Sequence, residues 1–293
     1  MSKIEKALKK AADTRLQADD RDSSPDNQPL GLKTESRKNT IGSRINALLD
    51  VVPLKITNLM LATAREEKTA VVEEYNKLRS SIIALTKGEN FFNTIMVTST
   101  VSDEGKSMTA LNLAISLAKE HDHTVLLVDT DLRRPSIHKY LDLAPEVGLV
   151  HCLRDQLPIE QALIKTGVGK LVVLPAGEAV KDPVDMLSSN RMKAIVQELK
   201  ERYSERYVIF DTPPALPFAD ANILAGIVDA VLYVVREGRA KGEDVAKIIE
   251  EFKEHNLLGI VAIFLLIAQI GDILPAFGLN THPGLVMVYL GDE

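Results

Sequence analysis

Short apolar runs alternate with amphipathic stretches along most of the chain after Ala70. The apolar runs predict buried strands at residues 94–98, 124–128, 171–174, 207–210, 230–235 and 258–264. Apolar positions at helical spacing predict the main helices at residues 68–85, 106–119, 190–202 and 242–255. Apolar strands separated by helices are typical of a parallel sheet that helices cover on both faces. We therefore predict an α/β fold built on a mostly parallel sheet.

Residues 1–66 follow a different pattern. Apolar residues at helical spacing among lysines predict a short helix at residues 2–12. This helix is either a plain surface helix or a docking helix for a partner or a membrane surface. Residues 13–40 are polar and poor in large apolar side chains, which predicts a disordered linker. We expect an amphipathic segment with a largely disordered linker (1–66), followed by one α/β domain (67–293).

Composition and charge narrow the functional classes. Hydrophobic residues make up 45% and charged residues 26% of the chain, as in ordinary globular proteins. The formal net charge of −6 argues against nucleic-acid binding, which normally needs a basic excess. The single cysteine, Cys152, cannot form an internal disulfide and fits a reducing compartment. The most apolar stretch, residues 257–270, is shorter than the ~20 residues that span a bilayer. A cytoplasmic location without a signal peptide is expected.

The first polar motif follows the strand predicted at residues 94–98 and opens the next helix. Its residues 99–107 read Ser-Thr-Val-Ser-Asp-Glu-Gly-Lys-Ser. Backbone N–H groups and the helix dipole favour a phosphate at such a helix start, and Gly105 lets the backbone approach it closely. Lys106 can reach the β- and γ-phosphates, and the Ser107 hydroxyl can bind Mg²⁺. The first glycine of the usual phosphate-loop (P-loop) pattern is replaced by Thr100.

Acidic residues follow two further predicted strands. Asp129 and Asp131 come after the second strand, and Asp211 comes after the fourth. Ligand sites in open α/β sheets lie at the carboxyl ends of strands, where carboxylates suit Mg²⁺ or its water shell. Arg133 could meet phosphate oxygens. The three segments together predict a P-loop NTPase-type domain that binds Mg-ATP.

In this order, the three segments resemble those of the bacterial tyrosine autokinases, which are P-loop kinases associated with exopolysaccharide export. The resemblance covers roughly residues 70–258. It is carried by the paired-acid segment at residues 129–135 and by residues 182–192 and 218–221. Residues 1–8 (Met-Ser-Lys-Ile-Glu-Lys-Ala-Leu) are similar to the start of the exosortase-associated subgroup.

The resemblance implies transfer of the ATP γ-phosphate to protein tyrosine, which is the activity of a non-specific protein-tyrosine kinase, together with ATPase activity. Asp129 would help to deprotonate the incoming tyrosine hydroxyl. The implied catalytic residues are Lys106, Asp129, Asp131 and Asp211. The implied nucleotide contacts are Ser102, Asp103, Glu104, Gly105, Lys106, Ser107, Met108 and Arg133. The implied Mg²⁺ ligands are Ser107, Asp131 and Asp211.

The resemblance also implies partners. In the family, an E-x-x-R-x-x-R helix before the P-loop supports ring-shaped oligomers. Glu73 and Arg79 match its ends here, but Asn76 replaces the middle arginine. We expect a homo-oligomer without nucleic acid. A separate membrane protein of the chain-length or co-polymerase type would activate the kinase and hold it at the inner membrane.

The C-terminal stretch departs from the family pattern. Family members usually end in a tyrosine cluster, whereas only Tyr289 follows Tyr233 here, and residues 254–293 contain no Lys or Arg. Residues 262–266 continue apolar where the family tends to have an asparagine. We hypothesise an altered tail, for instance through a frameshift near Gly259. The remaining tyrosines are interpreted as core or surface residues: Tyr75, Tyr140, Tyr203 and Tyr207.

Two other functions stay open from the sequence. The first is a non-kinase ATPase switch of the partition or septum-site type that acts on a membrane partner, and the weak tail favours it. Those ATPases carry an extra lysine early in the loop, where this chain has Val101. The second is a degenerate nucleotide-binding scaffold. Retention of the lysine, the serine and all three acids argues against it.

Overall fold

The computed structural model describes residues 57–65, 67–88, 91–120, 123–201, 206–264 and 285–289. The strands in this part of the chain are β1 (Thr94–Ser99), β2 (Thr124–Asp129), β3 (Ile164–Lys165), β4 (Leu171–Leu174), β5 (Arg206–Asp211), β6 (Ala230–Arg236), β7 (Leu257–Phe264) and β8 (Leu285–Tyr289). They form one eight-stranded sheet of order β3-β4-β2-β5-β1-β6-β7-β8. Only β3 runs antiparallel to its neighbour among these described strands, and the other pairs are parallel.

Helices connect the strands. They are α1 (Ala70–Thr86), α2 (Lys106–Ala118), α3 (Ile137–Tyr140), α4 (Leu149–Arg154), α5 (Ile159–Ala162), α6 (Val184–Ser188), α7 (Asn190–Glu201), α8 (Asp220–Ala225) and α9 (Gly242–Lys253). Within the described ranges, none of these helices has the length and apolar character that crossing a lipid bilayer requires. The Thr69 hydroxyl caps α1 by accepting a hydrogen bond from the Val72 N–H at 3.3 Å.

Alternate residues of the central strands point into two separate cores. Met96, Val208 and Phe210 join the core that includes the inner faces of α7 and α9. Their strand neighbours, such as Ile95 and Ile209, join the core beneath α1 and α2. Successive side chains of a strand point to opposite faces, and both faces are covered here. This is why the central strands appear in the sequence as continuous apolar runs.

The predicted fold class is confirmed by this sheet, and the main strands and helices lie where the apolar pattern placed them. The sequence pattern did not predict β3, β8 or the short helices α3 to α6 and α8. These helices span only a turn or so, and β3 has 2 residues, so none is long enough to show a periodicity. β8 adds a parallel edge strand beside β7.

The segment at residues 57–65 packs on the helices that cover one face of the sheet. Leu61 is fully buried in the core that contains α1 and α2. The Thr63 hydroxyl donates to the Asn112 backbone oxygen of α2 at 3.0 Å, and the Asn112 side-chain amide donates to the Met60 oxygen at 3.1 Å. From the sequence, residues 57–65 were expected to belong to the segment that precedes the α/β domain. In the structure they contribute to the core of that domain. The predictions for residues 2–12 and 13–40 lie outside the described residues.

Candidate nucleotide-binding site

The P-loop runs from the end of β1 to the start of α2. Its last residue, Gly105, caps α2 with φ +89°, a conformation that favours glycine. A Cβ atom at this position would lie 2.8 Å from Cδ1 of Ile263 in β7, which is too close. The positive φ therefore favours glycine at this position, and any other residue would also have to displace the end of the Ile263 side chain.

Side chains brace the loop at the position where the usual first glycine is missing. The Thr100 and Tyr233 hydroxyl oxygens lie 2.5 Å apart within hydrogen-bonding distance. The fully buried Glu104 carboxylate accepts from the Val101 N–H at 2.7 Å and from the Arg236 N–H at 3.4 Å. Burial raises the pKa of Glu104, and these hydrogen bonds oppose the rise. The Glu104 side chain is thus turned into the protein, and only the backbone of this residue could make the predicted contact with the nucleotide.

The Glu104 brace leads to a prediction. Glu104→Ala leaves two backbone N–H groups without their acceptor, which costs about 1–3 kcal/mol when such groups stay buried. We expect a lower melting temperature and about tenfold weaker binding of an ATP analogue, because the loop N–H groups lose their fixed geometry. Calorimetric titration and thermal unfolding measure both effects, with the exposed Glu243→Ala as control. Unchanged affinity would show that Glu104 does not shape the loop.

Lys106 and Asp131 form an ion pair inside the site. The Lys106 Nζ lies 2.8 Å from Asp131 Oδ2 and donates to the Ser107 Oγ at 3.2 Å. Its side chain is only 12% exposed. Burial acts to lower the pKa of Lys106, but Asp211, Asp131 and Asp129 together raise it, so the ammonium stays charged. The predicted catalytic lysine and acids are thus brought to one place.

Asp129 and Asp211 occupy paired positions in the neighbouring strands β2 and β5. Both are fully buried, and burial raises the pKa of Asp211 to about 6 and that of Asp129 well above its ordinary value. Asp129 Oδ2 accepts from the N–H groups of Ser136 and Ile137, both at 3.1 Å. Its other oxygen and both carboxylate oxygens of Asp211 are buried without a hydrogen-bond partner. Such orphaned acidic oxygens fit a bound cation or its water shell.

A cavity of about 280 Å³ opens beside Lys106 and Asp131, whereas the predicted catalytic acids Asp129 and Asp211 do not line it. Every predicted nucleotide contact except Glu104 lines it, as does Asp131. Sequence reasoning missed Lys139, Tyr140 and Phe218, which also line the cavity. The first two lie on α3 shortly after the paired acids, and this proximity in sequence was the available signal.

Arg133 lines the cavity, but its guanidinium is engaged by the protein. Its Nε donates to Asp220 Oδ2 at 2.7 Å, and its Nη2 donates to Asp220 Oδ1 at 3.1 Å. The guanidinium carbon also lies 4.4 Å from the centre of the Phe218 ring. The contact between Arg133 and phosphate stays a prediction. To make it, the guanidinium would have to share its hydrogen bonds between Asp220 and the phosphate or release Asp220.

The loop, the buried acids and the cavity at the carboxyl ends of parallel strands define a nucleotide-binding protein of the P-loop ATPase class. A family model described as an AAA domain matches residues 92–258. The chain is 36% identical over 198 residues to the tyrosine-protein kinase YwqD of Bacillus subtilis (strain 168), covering 67% of this chain and 82% of that protein. It therefore belongs to the family of bacterial tyrosine-protein kinases.

Further relatives agree with this assignment. The chain is 30% identical over 213 residues to the tyrosine-protein kinase ptk of Acinetobacter johnsonii, covering 72% of this chain but only 28% of that protein. The kinase domain of Escherichia coli tyrosine kinase ETK superposes with a TM-score of 0.60 and 28% identity, covering 65% of this chain and 74% of that chain. The resemblance read from the motifs is confirmed, as is the enzyme class of protein-tyrosine kinase. A non-kinase ATPase switch has less support.

Proposed function

We propose that this protein is an ATP-dependent tyrosine autokinase that regulates exopolysaccharide assembly or export. The observation that carries the proposal is the convergence of Lys106 with Asp129, Asp131 and Asp211 at the end of the P-loop. This set can neutralise phosphate charge, hold a divalent cation and accept a proton. The membership in a tyrosine-protein kinase family supports tyrosine as the acceptor.

The nucleotide would bind along the loop N–H groups and the N-terminus of α2. Lys106 would exchange its contact with Asp131 for the β- and γ-phosphates. Ser107, Asp131 and Asp211 would hold Mg²⁺. Ser107 and Asp131 line the cavity, and both carboxylate oxygens of Asp211 are buried without a hydrogen-bond partner. When bound, Mg²⁺ supplies charge neutralisation for the transferring phosphoryl group.

Asp129 is the residue that we assign as proton acceptor. Its raised pKa brings its basicity closer to that of an effective general base near neutral pH. One of its oxygens holds the N–H groups at the start of α3, and the other accepts no hydrogen bond. The bound oxygen fixes the orientation of the carboxylate, and the other remains for the tyrosine proton.

Assembly through α1 is the second part of the proposal. Arg79 uses its Nη1 to donate to the Ser116 oxygen at 3.2 Å, and its Nε lies 3.0 Å from Glu120. Asn76 accepts from the Ser116 hydroxyl at 3.2 Å. The side chains of Arg79 and Asn76 already have partners within the chain. Glu73 is exposed, so it is the motif residue best placed to contact a neighbouring subunit. The same proposal includes a separate membrane protein that activates the kinase and holds it at the periphery of the inner membrane.

Metal dependence gives the direct test. Purified full-length protein incubated with Mg-ATP is expected to form ADP and phosphotyrosine, both lost when EDTA removes the metal. Mass spectrometry and an ADP assay measure the two products. ADP formation without phosphotyrosine, on the chain or on an added poly(Glu,Tyr) substrate, would favour the ATPase switch instead.

A further inference from the structure

Thr100 stands where a P-loop usually has its first glycine, and its side chain is built into the protein. Thr100 is fully buried, and its hydroxyl oxygen lies 2.5 Å from that of Tyr233 in β6, which is fully buried as well. A glycine at this point would leave the backbone free to adopt many conformations. Here two hydrogen-bonded side chains fix the backbone that a glycine would leave free.

Tyr233 has a fixed place in the sheet. β6 pairs with β1 so that Tyr233 lies opposite Thr98, just before the loop begins. Its ring packs near that of Phe252 in α9, with ring centroids 6.2 Å apart. Burial raises the pKa of Tyr233, so the phenol stays neutral and keeps its proton for a hydrogen bond. A rigid, neutral hydroxyl is thus presented to the start of the loop.

The backbone at Thr100 is tied to the segment that follows β5. The Ser99 oxygen accepts from the Ala215 N–H at 2.8 Å, and the Thr100 oxygen accepts from the Leu216 N–H at 3.1 Å. This segment comes directly after Asp211, the last residue of β5. A shift of the backbone at Thr100 would therefore change how the loop is placed relative to the acid that follows it in the site.

The Thr100 side chain also reaches Glu104. Burial raises the pKa of Glu104, and a hydrogen bond with the Thr100 side chain is among those that oppose the rise. The same carboxylate accepts from the Val101 N–H at 2.7 Å. The Thr100 hydroxyl thus connects the Tyr233 phenol to the carboxylate that holds the loop backbone.

We propose that Tyr233 is a positioning residue for nucleotide binding, which acts through the Thr100 hydroxyl and replaces the first P-loop glycine as the means of setting the loop. The inference rests on the proposed function for the identity of the nucleotide, ATP. Tyr233 does not line the nucleotide cavity, so its effect is indirect. It keeps the loop N–H groups in the geometry that phosphate oxygens require. Restoring the usual glycine at position 100 should therefore weaken nucleotide binding.

Calorimetric titration of the full chain with a non-hydrolysable ATP analogue and Mg²⁺ tests the proposal. Thr100→Gly should weaken binding by about tenfold or more, because it frees the backbone and leaves the Tyr233 hydroxyl buried without its partner. Tyr233→Phe keeps the ring and removes only the hydroxyl, so it should weaken binding by about 3- to 10-fold. Thr100→Val should have an effect of similar size. The double variant with Thr100→Val and Tyr233→Phe should lose no more than the weaker-binding single variant, as expected for two groups that act as a unit.

Tyr207→Phe is the matched control for Tyr233→Phe. The Tyr207 phenol is also fully buried, and its hydroxyl oxygen lies 2.7 Å from that of another threonine, Thr86. Tyr207 does not line the nucleotide cavity either. Each of the two Tyr→Phe variants should lower the melting temperature by about 2–4 °C through the lost hydrogen bond. Only Tyr233→Phe should weaken binding of the analogue.

Several outcomes would overturn the positioning role. Equal losses of affinity in the two Tyr→Phe variants would show a general effect of stability. Losses that multiply in the double variant would show that Thr100 and Tyr233 act independently. Unchanged or tighter binding in Thr100→Gly would show that the threonine has no role that a glycine lacks.

The test is separate from that of the kinase activity, because binding is measured without phosphoryl transfer. Wild-type protein that binds the analogue but forms no phosphotyrosine would overturn the kinase proposal alone. Wild-type protein that does not bind the analogue would overturn both.

Discussion

Replacing Lys106 by alanine should reduce phosphotyrosine formation by about 100- to 1,000-fold, the scale on which one preorganised charge-stabilising donor acts. The ammonium is held within the site by Asp131 at 2.8 Å, and three carboxylates keep it charged. It is thus available wherever the γ-phosphate develops charge. A radiolabelled ATP assay with single-turnover analysis measures the loss.

The control for this variant is Lys193→Ala, which removes an exposed lysine from α7. It should leave the rate unchanged. Lys106→Ala also leaves Asp131 and Asp211 without their counter-charge, so circular dichroism should show that the fold is retained. A Lys106→Ala protein that is folded and retains more than about a tenth of the wild-type rate would contradict the assigned role.

Asp211→Asn should lower the activity of the protein and raise its stability. We expect a loss of activity of about 100-fold or more, because the residue that we propose as a charged Mg²⁺ ligand becomes neutral. We expect a gain in the free energy of unfolding, because the wild-type carboxylate is buried without a hydrogen-bond partner. A carboxyl whose pKa rises from 3.8 to about 6 on folding costs about 3 kcal/mol at pH 7. The asparagine amide is itself buried, and the cost of burying it offsets part of this gain. A net gain of about 1 kcal/mol in the free energy of unfolding remains.

The sign of this effect depends on pH. Between the ordinary pKa of 3.8 and the folded-state value of about 6, the folded protein binds more protons at Asp211 than the unfolded chain does. The contribution of Asp211 to stability therefore falls as pH rises through this window. The gain from Asp211→Asn should be present above about pH 7 and lost near about pH 4.

Thermal unfolding at the two pH values measures the difference, and 1 kcal/mol corresponds to about 2–4 °C for a domain of this size. The exposed Asp185→Asn serves as the matched control. A stabilisation that is equal at both pH values would exclude ionisation of Asp211 as its cause.

The sequence predicted the central sheet well because its strands are buried on both faces. An apolar run such as Val125–Val128 needs no partner information to be recognised as a strand. The order of the strands was not predicted from periodicity, because the pairing of β1 with β5 and β6 depends on contacts distant in sequence. Short elements such as α3 were missed because their few residues carry no period.

The candidate site was predictable only in part. Lys106, Asp131 and Asp211 could be predicted as site residues from their spacing relative to the strands, and the structure brings them together. The burial of the Glu104 side chain and the pairing of Arg133 with Asp220 could not be predicted, since each depends on a partner from a distant element. Tyr140 was interpreted as a core or surface residue, because its closeness in sequence to the paired acids was the only signal and the four residues of α3 are too few to show which face meets the cavity.

The sizes of the residues at positions 105 and 263 are coupled through the packing of β7 beside the P-loop. A Cβ atom at position 105 would lie 2.8 Å from Cδ1 of Ile263. In natural relatives of this chain, any residue larger than glycine at position 105 should therefore be accompanied by a shorter side chain at position 263, and it would still have to adopt the positive φ of Gly105.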